Sequence, residues 1–414
     1  MLYIARRLYS DGGSASGSRI SMSAVRIATA GVAIGVLVMI MSVAIAVGFQ
    51  REIRQRVADL GGHVQVMNPA SLYKAQSQPV DLNDTLCAEL KKLPGVLDLQ
   101  RFASVSGMLK TENAFQGIVL RGVGKDCDRG FLEGSLKDGV VPRFGFTKEA
   151  NDSILLSKPT ADALGLKTGQ QVYAYFFNGG LKARHLTVSG IYQTHMSDFD
   201  RNLCFADVRL TQQLLGWQGD QFSGAEIRVD NFDDVAQVNI DVLRKVIHLT
   251  DKYGNYYSAS SVFDMYPQIF SWLTLLDTNV IAILILMICV ASVTMVSGLL
   301  IIILERTRFI GVMKAMGATN GQLRRLFLWL ASMIVVRGMV VGDVLALVLL
   351  TVQKYTGIIR LDPENYYLEH VPVYFHWSGF ALINVVTLIA CVLVLVIPSY
   401  VVSRIHPAKS IRFE

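Results

Sequence analysis

The residues able to do chemistry are few and scattered. His195 and Asp198 stand three apart in a stretch that reads as a loop, a spacing open to acid–base or metal work. With no third group beside them they read as a solvated turn. There is no H-E-x-x-H, no C-x-x-C and no Cys/His set with metal spacing. "GVGK" at 122–125 lacks the G-x-x-x-x-G-K-[ST] spacing of a phosphate-binding loop, so no nucleotide, cofactor or metal is expected on this chain. Cys289 and Cys391 fall within apolar runs, whereas Cys87, Cys127 and Cys204 lie outside them. That odd outside count argues against a disulfide framework, although one pair could form. The densest charge is in "LERTRFIGVMKAMGATNGQLRR", residues 304–325, with five Lys/Arg, one Glu and three Gly between two very apolar stretches. Its chemistry is recognition.

The elements that must position this link are membrane spans. The chain has 414 residues, 52% hydrophobic and only 17% charged. Four stretches approach the about 20 apolar residues that cross a bilayer: 27–49, 278–304, roughly 326–352, and 377–403. Arg337 and Asp343 interrupt the third. They lie about 240° apart around a helix, so they are poorly placed to pair. An intramembrane Arg should face a polar cavity or a partner. "AIA" at 44–46 resembles a signal-peptidase site, but the apolar run before it is too long for a signal core.

Basic residues set the orientation. Arg6, Arg7, Arg19 and Arg26 precede span one, the 305–325 link separates spans two and three, and Arg404, Lys409 and Arg412 follow span four. These segments are cytoplasmic, and 50–271 and 353–376 lie outside. The net charge of +6 follows mainly from this bias and implies no nucleic-acid partner. Residues 1–24 form a cytoplasmic segment in which 1–10 could lie as an interfacial helix, joined by the linker 10–18.

The fold class expected is an α-helical membrane protein with four transmembrane helices and an α+β domain between helices 1 and 2. "REIRQRVADLGG" continues span one as a polar helix, and "HVQVM" alternates like a strand. "DLNDTLCAELKKLPGV" predicts a helix capped by Asp81 or Asn83 and stopped at Pro94–Gly95, and two strands follow. Residues 126–220 read as a β-rich insertion, with a hairpin over 171–192 turning at Asn178-Gly179-Gly180. "SGAEIRVDNFDDVAQVNIDVLRKVI" returns to strand and helix and completes the first unit. Span two begins early enough, near 272, to project outward as a stalk.

Within the link, Phe309, Met313 and Met316 fall on one face at i, i+4 and i+7. Gly317 is placed to end that helix, and Thr319 with Gln322 forms a capping box that starts span three. The link is a short, separately capped helix with an apolar ridge and basic flanks. It is suited either to the inner leaflet or to a groove on a cytoplasmic partner.

"ERTRFIGVMKAMGAT" resembles the signature of MacB/FtsX-like ABC transporter permeases, and "RIHPAKSIRFE" at 404–414 resembles their tail. "ISMSAVRIATAGVAIGVLVMIMSVAIAVGFQREI", "SGIYQTHMSDFDRNLCFADVRLTQQLLG" and "RLDPENYYLEHVPVYFHW" resemble the lipoprotein-releasing (Lol-type) branch. The resemblance covers almost the whole chain in order.

The resemblance implies a permease subunit of the inner membrane, paired with a second permease chain, the same or homologous. ATP and Mg would be bound by a separate dimeric ATPase. Lipoproteins would be extracted from the inner membrane through a cavity and passed to a periplasmic carrier. The alternative is a permease that transmits motion to a periplasmic enzyme or exports another substrate. The ATPase contacts are carried onto Glu305, Arg306, Arg308, Phe309, Gly311, Met313, Lys314, Met316 and Gly317. The cavity is assigned Phe49, Leu276, Ile283 and Arg337. Close helix packing is assigned from spacing to the G-x-x-x-G pairs Gly31–Gly35 and Gly338–Gly342. One departure stands out: the family member that recruits the carrier bears a long loop on the hairpin corresponding to 171–188, and here that loop is tight. This chain is then a non-recruiting partner, or the carrier docks elsewhere.

Overall fold

The structure is a computed structural model and describes residues 19–72, 74, 77–145, 152–362 and 366–401. The expected interfacial helix at 1–10, the linker at 10–18 and the tail at 404–414 lie outside these residues. The described chain divides into a helical unit and an α+β unit, the latter made of Arg51–Ser271 with Arg360–Glu369. Helix α1, Arg19–Gly61, is 43 residues long and continues past its apolar run through "REIRQRV" as expected. It stops at Gly62, whose φ of +70° only glycine adopts freely and whose N–H bonds the Ala58 carbonyl at 2.8 Å.

In the α+β unit, β1 (Val64–Met67) is buried at every position and pairs on both sides, with β11 (Gly224–Val229) and β12 (Ser258–Ser261). β2 (Val80–Asp81) pairs with β10 (Gln221–Phe222). α2 (Asp84–Lys91) starts at Asn83, whose side chain accepts from Leu86 N–H at 2.8 Å, which settles the cap. β3 (Val96–Lys110) is long enough to serve two layers. Its first half pairs with β11, and the stretch from Phe102 on pairs with β4 (Phe115–Val123). Then come α3 (Arg129–Gly134), β5 (Leu136–Gly139), β6 (Ser153–Ser157), α4 (Lys158–Leu164), β7 (Gln171–Phe177), β8 (Leu181–Tyr192), α5 (Ser197–Asp200), β9 (Leu203–Asp207) and α6 (Val208–Leu215).

Six of these strands close a ring in the order β3, β4, β9, β6, β8, β7 and back to β3. Closure removes exposed strand edges. The inward positions of the ring pack one core, including Leu109, Leu120, Ile154, Phe176 and Leu186, none accessible to solvent. α4 and α6 add Leu164, Leu210 and Leu214 to the same core. The expected β-rich insertion does not form a sheet of its own. It closes only by borrowing β3 and β4 from the first unit, because a sheet with one apolar face must find further strands to cover it. α7 (Val235–Val246) buries Val235, Val238, Val242 and Val246 on one stripe, and α8 (Val262–Met265) ends the domain.

In the helical unit, α9 (Pro267–Glu305) runs 39 residues, about 58 Å at 1.5 Å per residue, well beyond a bilayer core. α10 (Thr307–Ala315), α11 (Asn320–Thr356) and α12 (Trp377–Ser399) complete it. Half of the most apolar window of α1 is buried, against 17% for α9 and α12, so α1 is the centre of this bundle. Val32, Val36 and Met39 of α1 are fully buried with Ala291 of α9 and Val335 of α11. Asp343 is half-buried and accepts from Asn384 Nδ2 at 3.1 Å.

Candidate partner-docking site

α9 and α10 are separated at Arg306, whose backbone (φ −99°, ψ 19°) leaves the helical region. Glu305 is the last residue of α9, and the Thr307 hydroxyl donates back to the Leu304 carbonyl at 2.6 Å. At the other end Gly317 N–H bonds the Lys314 carbonyl (3.0 Å) and Ala318 N–H bonds the Met313 carbonyl (2.9 Å). With Gly317 at φ +93° this is a Schellman cap. Thr319 N–H then donates to Gln322 Oε1 (3.0 Å) and Gln322 N–H to Thr319 Oγ1 (3.3 Å), the capping box that opens α11. The link is therefore a helix held at both ends by its own local signals.

The nine residues of α10 divide its side chains differently from the periodicity argument. Ile310 and Gly311 are buried, and Met313 packs on the same core as the spans. Phe309 is half-buried. The outward face is Arg308, Val312 and Met316, the last two 48% and 69% exposed. The expected ridge of Phe309, Met313 and Met316 is thus corrected. Period alone relates positions to one another, and here Ile310, the bulkiest aliphatic of the stretch, claims the bundle and carries Met313 in with it. Partial burial lowers the pKa of the Lys314 ammonium. Behind the link, Arg324 stacks over Tyr400 with its guanidinium carbon 3.6 Å from the ring centroid, joining the start of α11 to the end of α12.

The other assigned residues are placed as follows. Gly31 and Gly35 of α1 face α9, where a Cβ would meet Thr294 and Ala291, respectively. Gly338 and Gly342 of α11 face Thr29, Val32, Ala33 and Val36 of α1. Both pairs serve packing inside one chain. Phe49 is 7% exposed and packs edge-on to Trp272 at 5.4 Å. Leu276 is half-buried, Ile283 is 36% exposed, and Arg337 is exposed on α11. Asn384 was not singled out in the sequence, although a lone amide in an apolar span was a usable signal.

In the α+β unit the 178–180 turn is as short as expected, with Gly179 and Gly180 at φ +64° and +134°. Asn178 Nδ2 and Lys182 Nζ donate to the Leu215 and Leu214 carbonyls (3.1 and 2.6 Å), folding the hairpin tip back onto α6. All five cysteines are free thiols, and burial pushes Cys127 up to about 11. His195 is not solvated: its side chain is 12% exposed and Nε2 lies 2.9 Å from Glu369.

Two family models match the chain, the MacB-like periplasmic core domain over residues 27–244 and the FtsX-like permease C-terminal region over 279–407. Lipoprotein-releasing system transmembrane protein LolE of Haemophilus influenzae is 22% identical over 394 residues, 92% of each chain. LolC of Xylella fastidiosa is 24% identical over 401 residues, 93% of this chain and 92% of that one. LolC of Neisseria meningitidis is 20% identical over 418 residues, 94% of each.

Proposed function

Because this chain belongs to the MacB/FtsX-like family of ABC transporter permeases, we propose that it is the membrane subunit of a transporter that extracts lipoproteins from the inner membrane. The observation that carries the reading is coverage: relatives named for lipoprotein release match over more than nine-tenths of both lengths. A separate ATPase dimer supplies ATP and Mg and seats on α10. Val312 and Met316 enter its groove, flanked by Arg308 and Lys314, while Glu305, Arg306 and Gly317 fix where the helix begins and ends. A second permease chain completes the pathway, drawing on the outward faces of α9 that carry Leu276 and Ile283, and Arg337 faces the lipid anchor or its headgroup. A periplasmic carrier receives the product. The short hairpin leaves its docking to a partner chain or to another surface.

The test is reconstitution. The chain is purified with its co-purifying subunits, placed in proteoliposomes loaded with lipoproteins, and given ATP and a carrier. ATP-dependent appearance of lipoprotein in the soluble fraction is expected. The tight hairpin also favours a second reading, in which the same motion drives a periplasmic enzyme or exports another substrate. Active ATP hydrolysis with no lipoprotein released would select it.

A further inference from the structure

Segment Arg360–Glu369 joins α11 to α12, yet it belongs to the α+β unit. Its backbone closes from Leu361 N–H to the Glu369 carbonyl at 2.9 Å, and Leu368 is 2% exposed. Glu369 Oε1 meets His195 Nε2 at 2.9 Å, with the carboxylate side chain half exposed and the imidazole almost enclosed. His195 sits on a braced corner. Asp200 accepts from Thr194 N–H (3.1 Å), Thr194 Oγ1 (2.7 Å) and His195 N–H (3.0 Å). Arg56 of α1 donates to the Thr194 carbonyl at 2.8 Å.

Two features set this contact apart. Among the described residues, His195 (φ +63°) and Tyr367 (φ +59°) are the only non-glycine residues with positive φ, and each stands on one side of it. Side chains rarely hold that conformation unless their surroundings over-determine it. The second feature is the ring itself. Nε2 carries the proton toward Glu369, and Nδ1 is buried without a hydrogen-bond partner. A protonated ring would place an N–H there with no acceptor, in the field of Lys137 and Arg56. Glu369 and Asp200 oppose that field, but Asp200 is already engaged by three donors.

We propose that Arg360–Glu369 is an acid-released latch, held to the 194–200 corner by the neutral His195 imidazole donating to Glu369 and let go when that ring takes a second proton. Burial lowers the His195 pKa, with Glu369 the largest opposing influence. A ring that loses proton affinity on docking binds fewer protons docked than free. Docking therefore weakens as pH falls through the range of a free imidazole, about 6.5.

The test is hydrogen exchange on the full chain in lipid nanodiscs at about pH 7.5 and about pH 5.5, corrected for the intrinsic pH dependence of exchange. Peptides covering 360–369 are expected to lose protection about tenfold at the lower pH, while peptides from α12, in the helical unit, hold theirs. His195→Gln, which can donate but cannot titrate, should keep the segment protected at both pH values. Glu369→Ala, which leaves the braced corner untouched, should lower protection at both. Equal or greater protection of the wild-type segment at the lower pH overturns the proposal. So does an undiminished acid loss in His195→Gln, or full protection in Glu369→Ala.

Discussion

Gly342 of α11 lies so close to Ala33 of α1 that a Cβ added to it would stand 2.5 Å from the Ala33 carbonyl oxygen. Its counterpart Gly35 would place a Cβ 3.5 Å from Ala291, an ordinary contact. The two G-x-x-x-G pairs look alike in sequence and differ in what they tolerate. Gly342→Ala should cost about 1–3 kcal/mol because backbone, not a flexible side chain, must yield, whereas Gly35→Ala should be nearly neutral. Thermal unfolding of the two variants in the same detergent measures the difference, and equal melting temperatures would refute it.

The caps of α10 and α11 were legible in sequence because each is a local device: Gly317 supplies a positive φ, and Thr319 and Gln322 need only each other. The spans, the hairpin turn and the Asn83 cap were legible for the same reason. The inward face of α10 was not, since it depends on the bundle core that Ile310 joins. Ring closure was not legible either, because the β3–β7 pairing joins segments far apart in sequence and periodicity cannot specify partners. His195 read as a turn residue because its partner, Glu369, is remote in the chain.

The two methionines of α10 should therefore behave oppositely. Met316→Asp places a charge on the outward face, where it costs the free chain little but leaves an unpaired carboxylate in a partner groove. Affinity for the ATPase should fall at least about tenfold, about 1.4 kcal/mol, with the melting temperature of the isolated chain unchanged. Met313→Asp should instead destabilise the chain itself, because Met313 packs on the core of the spans. Pull-down of the ATPase alongside melting of the isolated chain separates the two. Loss of binding by Met313→Asp alone, with normal folding, would restore the ridge expected from periodicity.

His63 gives the α+β unit a pH dependence of known sign. Its Nδ1 accepts from Val229 N–H at 3.0 Å, and burial, helped by Arg228, lowers its pKa from 6.5 to about 4. Below 6.5 the unfolded chain takes a proton that the folded chain refuses until about 4. Stability is therefore complete above that window and falls through it, by about 3 kcal/mol in all. His63→Gln keeps an acceptor for Val229 and removes the titration. Its melting temperature should depend less on pH between these limits than that of the wild type, and a parallel pair of curves would count against the assignment.

Asn384 is the test of how the last span is held. Its Nδ2 donates to Asp343 Oδ1 at 3.1 Å and to the Phe380 carbonyl at the same distance, so one amide joins α12 to α11 and to its own preceding turn. In hydrocarbon the helices gain little from apolar association, so an interhelical hydrogen bond of this kind contributes about 0.6–1.7 kcal/mol. Arg337 lies on the same helix as Asp343, but about 240° around it, and cannot substitute along that face. Asn384→Leu should lower unfolding stability by about that much, leaving Asp343 a polar group that has lost its donor. Asp343→Asn in the same background replaces the carboxyl with a neutral amide and should recover part of the loss. Asp343→Leu with Asn384→Leu removes both polar partners and should recover more, because the expense lies in the group left behind rather than in the missing bond. Melting of these variants in one detergent, together with the wild type and Asp343→Leu alone, completes a double-mutant cycle. If the Asn384→Leu and Asp343→Leu effects add without coupling, the hydrogen bond does not join the spans in the folded protein.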